Sequence, residues 1–567
     1  MRRAAAICAG ALFVSVASAH GSPAAAAKLA DRPTRTREPA SGGACARLAA
    51  LRLHHVAIEL AEGERAEAPV TGVRAPNIEG VPGAGPPVGG LPAFCRVAGT
   101  IRPRPGSHIR FEVWMPNHWN GRLDGVGNGG FAGSISYMDL ASAVRAGQVG
   151  AATDTGHTGS MVDAAWAKGH PGLIQDYGWR AIHLTAVVAK ELITRFYGRK
   201  PSHSYFMSCS DGGREALMEA SRFPADYDGI LAGDPAANFT TLIISMINTV
   251  QAQMSPGARI RDSQMELLQK VVLKQCDALD GQVDGLVSDP LACKVDVSKL
   301  ACGVSHSPEC FSKPQLLALE RIYAGAHDRS GHQVAPGYPP SGAEVGVPKY
   351  FGWESWILGV KSWPASHEQF ANGMLQGFFT KPFATARTFN FDTDPRRLKA
   401  ALSEDLDVKP DLRAFFDRGG KLIIYHGWAD PAIPPQLTLQ FYRAALRDSG
   451  PDAGQSMRLF MVPGMQHCFG GPGPDIFGQM GAPPSDASPR TNIAAALQHW
   501  VERGRTPNSI IGHYGLPAGL GSPSRKERLI CAYPAMAVLR RRGADPYRAS
   551  SYECEVATGG RARRRPT

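Results

Sequence analysis

Short apolar runs that end in loops alternate with helix-length segments over much of the chain. Five segments have the apolar or alternating pattern of a β-strand: residues 108–116, 205–207, 227–235, 421–425 and 457–462. Residues 176–197 place apolar side chains on one helical face, and Gly198 follows at a position where helices commonly end. The alternation of strands and helices predicts an α/β sheet.

Residues 236–415 interrupt this alternation. The segment holds four of the cysteines, many aromatic residues and irregularly spaced apolar positions. We interpret it as a lid inserted over the sheet, between a first core segment at residues 45–235 and a second at 416–555. The alternative is a separate helical domain with its own core. Residues 45–100 contain an alternating run at 56–60 and predict an N-terminal β region.

The composition is that of a globular protein. Of the 567 residues, 43% are hydrophobic and 20% are charged, so more than one domain-sized core can form. The net charge of +11 is partly terminal, from Arg2, Arg3 and a basic tail at residues 556–567. The sequence contains no basic helix interleaved with aromatic residues, so we do not expect nucleic-acid binding.

The N-terminus has the pattern of an export signal. Two arginines precede an apolar run at residues 4–16, and residues 17–19 form a small-residue cleavage site. This run is short for a membrane span, and no other segment is long and apolar enough to cross a bilayer. We assign residues 1–19 to a signal peptide and residues 20–44 to a disordered lead, and we expect a secreted or periplasmic protein.

Cysteine usage agrees with export. Cys8 lies in the signal peptide, which leaves an even number of cysteines in the mature chain, as disulfide-bonded proteins commonly have. Counting does not determine the pairing. Proximity in sequence favours three bridges: Cys276–Cys293, Cys302–Cys310 and Cys531–Cys554. A Cys45–Cys95 bridge would close the predicted N-terminal β region.

A serine follows the apolar run at residues 205–207, where the pattern predicts a sharp strand-to-helix turn. Ser210 lies between Ser208 and Gly212, and a helical run at residues 215–220 follows. Such a turn lifts the hydroxyl clear of the sheet, as in the nucleophile elbow of α/β-hydrolases. Because serine replaces the first glycine of the usual Gly-x-Ser-x-Gly pattern, a plain turn is the alternative.

Two later strand ends supply partners for this serine. Asp430 follows the run at residues 421–425, and His467 follows the run at 457–462. The order serine, aspartate, histidine is that of α/β-hydrolases, in which the histidine takes the serine proton and the aspartate orients the histidine. The sequence thus predicts an α/β-hydrolase fold with a large lid-domain insertion between the nucleophile and the acid.

Other residues are weaker candidates for these roles. Asp228 and Asp234 are alternatives for the acid, and His426 is an alternative for the base. We expect His157 to be structural. The glycine-rich stretch at residues 123–133 follows a strand-like run and can present backbone N–H groups to an oxyanion; an ordinary glycine-rich loop is the alternative.

Cysteines flank two of the three candidate catalytic residues. Cys209 precedes Ser210, and Cys468 follows His467. A hydrogen bond between the serine and the histidine would bring these neighbours close, and Cα atoms about 4.4–6.8 Å apart can be bridged. We therefore expect a Cys209–Cys468 disulfide that ties the nucleophile to the base.

An acidic loop follows Cys276 in the predicted lid. Asp277, Asp280 and Asp284 lie close together, with glycines that permit tight turning. Calcium prefers carboxylate and carbonyl oxygens, although the spacing here is not that of an EF-hand. A solvated acidic turn is the alternative.

Together these motifs resemble the tannase and feruloyl esterase family, from about Cys45 to Cys554. The motifs that carry the resemblance lie at residues 126–133, 152–157, 209–214, 223–230, 427–430 and 467–468. The resemblance implies Ser210 as nucleophile, Asp430 as orienting acid and His467 as base.

The same resemblance implies three further features. Backbone N–H groups of Asp211 and of Gly129 or Gly130 would form the oxyanion hole. The ten mature cysteines would form five disulfides, as in a bacterial member of the family. The lid would carry a structural calcium ion, with oxygen ligands from five residues: Asp277, Asp280, Gln282 (carbonyl), Asp284 and Leu286 (carbonyl).

Three positions depart from the family pattern. Ser208 replaces a glycine, Asp211 replaces a common threonine, and Asp234 stands where a small residue is usual. Because Asp211 is next to the nucleophile, we expect its side chain to reshape recognition of the acid.

We therefore predict a secreted or periplasmic serine esterase that cleaves feruloyl, galloyl or related benzoate esters. A small aromatic ester is the expected partner, without nucleic acid or membrane, and the oligomeric state is left open. The alternative is a catalytically silent α/β-hydrolase fold that serves as a binding module. Trp353, Trp356 and Phe370 are candidates for stacking on the substrate or for the lid core.

Overall fold

The computed structural model describes residues 43–74, 86–305, 307–349, 351–360, 364–479, 487–515, 524–541 and 543–556. The predicted signal peptide, and nearly all of the predicted lead and basic tail, lie outside these residues. Residues 43 and 44 of the predicted lead belong to the first helix, so the folded chain begins slightly earlier than expected.

The described residues contain sixteen strands and fourteen α-helices. The strands are β1 Val56–Glu64, β2 Phe94–Ile101, β3 Ile109–Pro116, β4 Arg122–Gly125, β5 Val149–Thr153, β6 His203–Cys209, β7 Gly229–Gly233, β8 Ala326–His327, β9 Gln333–Ala335, β10 Lys421–Gly427, β11 Met457–Val462, β12 Pro474–Ile476, β13 Ser509–Tyr514, β14 Glu527–Cys531, β15 Ala535–Leu539 and β16 Tyr552–Val556.

The helices are α1 Gly43–Ala46, α2 Tyr137–Arg145, α3 Pro171–Gln175, α4 Ala181–Tyr197, α5 Asp211–Arg222, α6 Phe239–Ala252, α7 Met265–Cys276, α8 Lys313–Ala324, α9 Ser366–Gly377, α10 Asp394–Leu406, α11 Arg413–Asp417, α12 Pro435–Asp448, α13 Ala453–Ser456 and α14 Ile493–Arg503. Among these described helices, none combines the length and the apolar character that crossing a membrane requires.

Nine of the strands form one mixed sheet in the order β1-β2-β3-β5-β4-β6-β7-β10-β11. The strands from β1 to β5 pair antiparallel, and those from β5 to β11 pair parallel. In the parallel part, alternate side chains enter cores on opposite faces: Phe206 and Ile230 pack beside α5, whereas Tyr205 and Leu231 pack beside α14. Burial on both faces explains the continuous apolar runs of these strands.

The predicted elements of this sheet are present. The five strand predictions correspond to β3, β6, β7, β10 and β11. The predicted helix at residues 176–197 is α4, which ends at Gly198 with φ 73°, but it is preceded by α3 and by a wide turn at Asp176–Arg180. Helical structure begins earlier than predicted because Pro171 occupies the first turn of α3, where its missing N–H costs no hydrogen bond.

The segment predicted as a lid leaves and re-enters the sheet at adjacent strands. β7 and β10 pair parallel, and the segment that joins them contains α6 to α11. Its two ends meet, because the Val408 N–H donates to the Ala237 carbonyl at 2.8 Å and the Thr240 hydroxyl donates to Asp407 at 2.6 Å. Part of it has its own core, around Leu268 and other residues, and part shares a core with the sheet-side loops.

The structure contains all five predicted disulfides. The bridges are Cys45–Cys95, Cys209–Cys468, Cys276–Cys293, Cys302–Cys310 and Cys531–Cys554. Four of them close loops of 50 residues or fewer, whereas Cys209–Cys468 joins positions 259 residues apart. That bridge therefore spans the whole inserted segment.

Candidate active site

Ser210 occupies a strained turn between β6 and α5. Its φ of 66° and ψ of −125° are unusual for a residue with a side chain, and such strain is characteristic of functional sites. The turn is possible because Gly213 approaches the sheet closely: a Cβ on Gly213 would lie 2.5 Å from the Gly233 carbonyl oxygen. Ser210 is partly exposed, so its hydroxyl is accessible from outside the sheet.

Three predicted residues come together at the ends of β6, β10 and β11. The Nε2 atom of His467 lies 2.9 Å from Ser210 Oγ, and its Nδ1 atom lies 2.8 Å from Asp430 Oδ2. Asp430 Oδ1 accepts the N–H groups of Ala432 at 2.7 Å and Ile433 at 3.0 Å. Because Asp430 holds Nδ1 as the donor, Nε2 is free to accept the serine proton.

The surrounding charges favour an ionised Asp430 and a basic His467. Burial opposes ionisation of Asp430, but His467 and His426 outweigh it and hold the pKa of Asp430 well below its usual range. Burial also opposes the charged form of His467, but the charges of Asp430 and Asp234 outweigh it and raise the pKa of His467. The imidazole is thus more basic than a free histidine.

Of the alternative residues, Asp228 and His426 occupy other positions, whereas Asp234 lies beside Asp430 and His467. Asp228 accepts the Ser204 N–H at 2.8 Å, at the opposite end of β6 from Ser210. His426 is fully buried, with Nδ1 2.8 Å from the Thr438 hydroxyl and Nε2 3.0 Å from the Ile433 carbonyl. Neither side chain reaches Ser210, and both roles are structural.

His157 also has structural contacts, as expected. Its Nε2 atom lies 2.8 Å from the Phe131 carbonyl, and its ring stacks on Trp166 with centroids 3.8 Å apart. Burial lowers the pKa of His157 to about 4, so the ring is neutral at physiological pH.

The glycine-rich segment after β4 lies against the nucleophile turn. The Gly212 N–H donates to the Asn128 carbonyl at 2.7 Å, and the Asn128 N–H donates to Glu215 at 2.8 Å. Gly129 and Gly130 follow and are partly exposed, and within the described residues neither N–H has a protein acceptor. The Asp211 N–H lies in the first turn of α5, where backbone donors have no intrahelical partner.

The Asp211 side chain turns away from these backbone groups. It is 2% exposed, and its Oδ1 accepts the Arg214 Nε–H at 2.6 Å and the Tyr177 hydroxyl at 2.9 Å. Arg214 is fully buried and also donates to the Gly178 carbonyl at 2.7 Å. Asp211 therefore stabilises the turn from behind, where Arg214 and Tyr177 hold its carboxylate inside. That the Asp211 side chain reshapes recognition of the acid stays a prediction.

Aromatic residues of the inserted segment lie next to the candidate catalytic residues. Trp356 is partly exposed, and its ring lies edge-to-face with His467 at a centroid distance of 5.3 Å. Phe370 stacks on Trp356, with centroids 6.2 Å apart and planes within 7°. Trp353 is 2% exposed and packs against Tyr323, and Phe370 is also buried in a hydrophobic cluster. Of the three candidate stacking residues, Trp356 is the one that is partly exposed.

Gln466 is a residue that the sequence reasoning missed. It is fully buried next to His467, and its amide group donates to the carbonyls of Ala343 at 2.9 Å and Val345 at 2.8 Å. Its Oε1 accepts the Val347 N–H at 3.1 Å. Gln466 thus joins the inserted segment to the loop that carries His467. The sequence feature that could have identified Gln466 is its position next to His467.

The five predicted calcium ligands lie in a single loop that follows α7. The Asp277 carboxylate accepts the N–H groups of Asp284 at 3.1 Å and Gly285 at 3.0 Å, which folds the loop back on itself. Gln282 and Leu286 are buried, and no described residue donates a hydrogen bond to either carbonyl oxygen. Carboxylates and carbonyl oxygens without donors are the ligand types that a hard cation takes. Asp277, Asp280 and Asp284 are not, however, among the groups of described residues whose possible ligand atoms lie within 4.8 Å of one another.

A guanidinium group also borders this loop. Arg528, on β14, contacts Asp284, lies 3.5 Å from Asp280 and donates to Ser288 at 2.9 Å. It therefore balances part of the negative charge of the loop.

Known proteins share both the sequence and the fold. The sequence profile described as tannase and feruloyl esterase matches residues 95–555. An uncharacterised esterase of Xanthomonas campestris pv. campestris is 36% identical over 529 residues, which cover 88% of this chain and 89% of that protein. A mono(2-hydroxyethyl) terephthalate hydrolase of Piscinibacter sakaiensis is 32% identical over 516 residues, covering 79% of this chain and 82% of its own.

A solved structure is similar over nearly the whole described chain. The crystal structure of feruloyl esterase B from Aspergillus oryzae superposes with a TM-score of 0.78 at 25% identity, covering 90% of this chain and 99% of that one. The predicted family and fold are confirmed. This chain belongs to the tannase and feruloyl esterase family, and it is a carboxylic ester hydrolase with an α/β-hydrolase fold.

Proposed function

We propose that this protein is a serine esterase that hydrolyses esters of aromatic carboxylic acids through an acyl-enzyme. The observation that carries the proposal is the pair of hydrogen bonds that links Ser210 Oγ to His467 at 2.9 Å and His467 to Asp430 at 2.8 Å. A serine nucleophile, an adjacent base and an orienting carboxylate are the groups that acyl transfer needs.

Acylation follows from this geometry. Ser210 Oγ attacks the ester carbonyl carbon while its proton passes to Nε2 of His467. The tetrahedral intermediate collapses when the bond to the alcohol oxygen breaks, and that oxygen takes the proton from Nε2. Asp430 remains ionised and stabilises the imidazolium, so the proton stays on the histidine between the two transfers.

Deacylation uses the same groups in the reverse direction. A water molecule enters where the alcohol left, gives its proton to His467 Nε2 and attacks the acyl carbon. The bond from the acyl group to Ser210 Oγ then breaks, and Ser210 recovers its proton from His467. The carboxylic acid leaves, and the enzyme returns to its starting state.

Backbone N–H groups would hold the negative charge of both intermediates. The donors that support this role are the Asp211 N–H, at the start of α5, and the N–H groups of Gly129 or Gly130, which lack protein acceptors among the described residues. Loss of one such donor typically costs about 10²–10³-fold in kcat.

The lid favours an aromatic acyl group. Trp356 presents its partly exposed ring beside His467, the buried ring of Phe370 stacks on Trp356, and aromatic rings prefer such partners. Galloyl and related benzoate esters carry a flat ring directly on the reacting carbonyl, and feruloyl esters carry one that is joined to the carbonyl through a vinyl group. Relatives named as feruloyl esterase and terephthalate ester hydrolase agree with this class of substrate.

We also propose that the loop after α7 binds a structural calcium ion through carboxylates of Asp277, Asp280 and Asp284 and carbonyls of Gln282 and Leu286. The ion would neutralise the clustered carboxylates and rigidify the lid. We expect a chelator to lower the melting temperature by several degrees and added calcium to restore it. Asp277→Asn should abolish this response, whereas an unchanged melting temperature in chelator would contradict the site.

Export from the cytoplasm completes the proposal. Five disulfides and the N-terminal export pattern both favour an extracellular or periplasmic location. N-terminal sequencing of the protein recovered outside the cytoplasm should find chain that begins after residue 19. A cytoplasmic protein that retains Met1 would contradict this part of the proposal.

Rapid-mixing kinetics with a p-nitrophenyl ester test the acyl-enzyme. We expect a burst of nitrophenol of about one equivalent per enzyme, followed by a slower steady rate. Ser210→Ala should abolish both phases without loss of the folded state. A Ser210→Ala variant with wild-type turnover would contradict the proposed nucleophile.

A further inference from the structure

We propose that Asp234 is a positioning residue for the catalytic histidine: a second buried carboxylate that holds the three catalytic loops in register. The inference rests on the serine mechanism proposed above. Asp234 follows β7 directly and is fully buried. Its φ of 36° lies in the left-handed region, which aspartate and asparagine tolerate better than most residues.

Each oxygen of Asp234 accepts an N–H group from a different catalytic loop. Oδ1 accepts the Gly427 N–H at 2.8 Å, at the end of β10 and three residues before Asp430. Oδ2 accepts the Cys468 N–H at 3.2 Å, on the residue next to His467. One carboxylate therefore fixes the loop of the acid relative to the loop of the base.

The backbone around Asp234 holds the nucleophile turn as well. The Ser210 N–H donates to the Gly233 carbonyl at 2.9 Å, and the Ala236 N–H donates to the Ser210 carbonyl at 3.2 Å. The Asp234 N–H in turn donates to the Tyr425 carbonyl at 2.8 Å, on β10. This short segment is thus bonded to the loops of all three proposed catalytic residues.

The Asp234 carboxylate also adds charge beside the base. One oxygen of Asp234, one oxygen of Asp430 and a ring nitrogen of His467 lie within 4.8 Å of one another. The other titratable groups that face Asp234 are His426, whose Nε2 is 3.7 Å from Oδ1, and the buried hydroxyl of Tyr425. The imidazolium that forms on His467 is therefore attracted by two carboxylates.

This charge gives the proposal a signature in the pH profile. Burial raises the pKa of Asp234 to about 7, so its full negative charge is present above neutral pH. A neighbouring negative charge raises the pKa of an imidazole. Removal of the charge should therefore lower the pKa of His467 and move the rising limb of the kcat/KM profile to lower pH.

Asp234→Asn is the test variant, and Asp475→Asn is its matched control. Asparagine keeps the shape and tolerates positive φ, but it offers one acceptor oxygen for two N–H groups. Asp475 is equally buried and accepts the N–H groups of Gly470 at 3.0 Å and Gly515 at 2.9 Å, outside the group of atoms around His467. The two variants therefore remove similar buried carboxylates. Among the catalytic segments, Asp475 bonds to the loop of the base alone, at Gly470, whereas Asp234 joins the segments of the acid and the base and lies beside the imidazole.

Steady-state kinetics across pH give the outcome. We expect Asp234→Asn to lower kcat about 10- to 100-fold with KM nearly unchanged, because a displaced base slows the chemistry rather than binding. The rising limb of its kcat/KM profile should shift by about one pH unit to lower pH. The rising limb of Asp475→Asn should not shift. A wild-type kcat in Asp234→Asn would overturn the inference, and so would equal losses with unshifted limbs in both variants.

Ser210→Ala, measured in parallel, separates this inference from the proposed mechanism. If Ser210→Ala keeps its activity, the serine mechanism itself fails. If Ser210→Ala is inactive and Asp234→Asn behaves as wild type, only the role of Asp234 fails. Titration of free thiols under denaturing conditions confirms that Cys209–Cys468 is intact in each variant.

Discussion

Removal of the Cys209–Cys468 disulfide should cost both stability and activity. The bridge joins positions 259 residues apart, and the Cys302–Cys310 bridge joins positions 8 residues apart. In the chain-entropy model, loops of these sizes correspond to about 5.5 and about 2.5 kcal/mol of stabilisation. The paired variants Cys209→Ala/Cys468→Ala and Cys302→Ala/Cys310→Ala should therefore differ by about 3 kcal/mol in free energy of unfolding.

The activity of the two variants should differ as well as their stability. Cys209 and Cys468 are the neighbours of Ser210 and His467, so their bridge restrains the 2.9 Å contact between nucleophile and base. We expect kcat to fall at least about tenfold without this bridge, because the two groups must be held in a reactive geometry. The Cys302–Cys310 bridge lies in the lid, away from both residues, and its loss should leave kcat nearly unchanged.

Urea unfolding and steady-state ester hydrolysis measure the two effects on the same preparations. The unfolding midpoint and slope give the free energy for each variant. A Cys209→Ala/Cys468→Ala variant that is no less stable than the lid variant would refute the loop argument. Wild-type kcat in the same variant would refute the claim that the bridge positions the catalytic groups.

Three further predictions concern the pocket, the turn and the pH profile. Trp356→Ala should raise KM for aromatic acid esters up to about tenfold, because aromatic pairs contribute about 0.5–1.5 kcal/mol, and it should change KM for an acetyl ester much less. Equal changes in KM for both esters would argue against stacking. Asp211→Asn should destabilise the fold by about 3–5 kcal/mol, since it leaves the buried Arg214 without its carboxylate; an unchanged urea midpoint would contradict the buried pair. In the wild-type enzyme, kcat/KM should rise with pH through a pKa above the ordinary histidine value of about 6.5. The reason is that His467 must be neutral to accept the serine proton and that its pKa is raised. A rising limb below pH 6 would contradict this prediction.

Much of the site could be predicted because its residues directly follow apolar strands. In a parallel sheet the carboxyl ends of the strands lie at one edge, so Ser210, Asp430 and His467 were expected to meet there. The flanking positions of Cys209 and Cys468 then predicted the long disulfide. These inferences needed only chain order and strand pattern, which the sequence carries directly.

Contacts between distant segments were harder to predict. Trp353 and Trp356 are three residues apart in an irregular lid, and only the packed structure shows that the first is core and the second faces His467. The inward turn of Asp211 depends on Arg214 and on Tyr177, which precedes α4 by several residues. Periodicity describes one element at a time, whereas these roles depend on how elements meet.

The central claim is that Ser210 forms an acyl-enzyme with aromatic carboxylic acids. Initial rates with methyl ferulate, methyl gallate and mono(2-hydroxyethyl) terephthalate, compared with an acetyl ester and with Ser210→Ala as control, test it most directly. We expect preferred turnover of at least one aromatic acid ester by the wild-type enzyme and none by Ser210→Ala. Turnover of the acetyl ester alone would contradict the aromatic substrate class, and equal rates in wild type and Ser210→Ala would contradict the nucleophile.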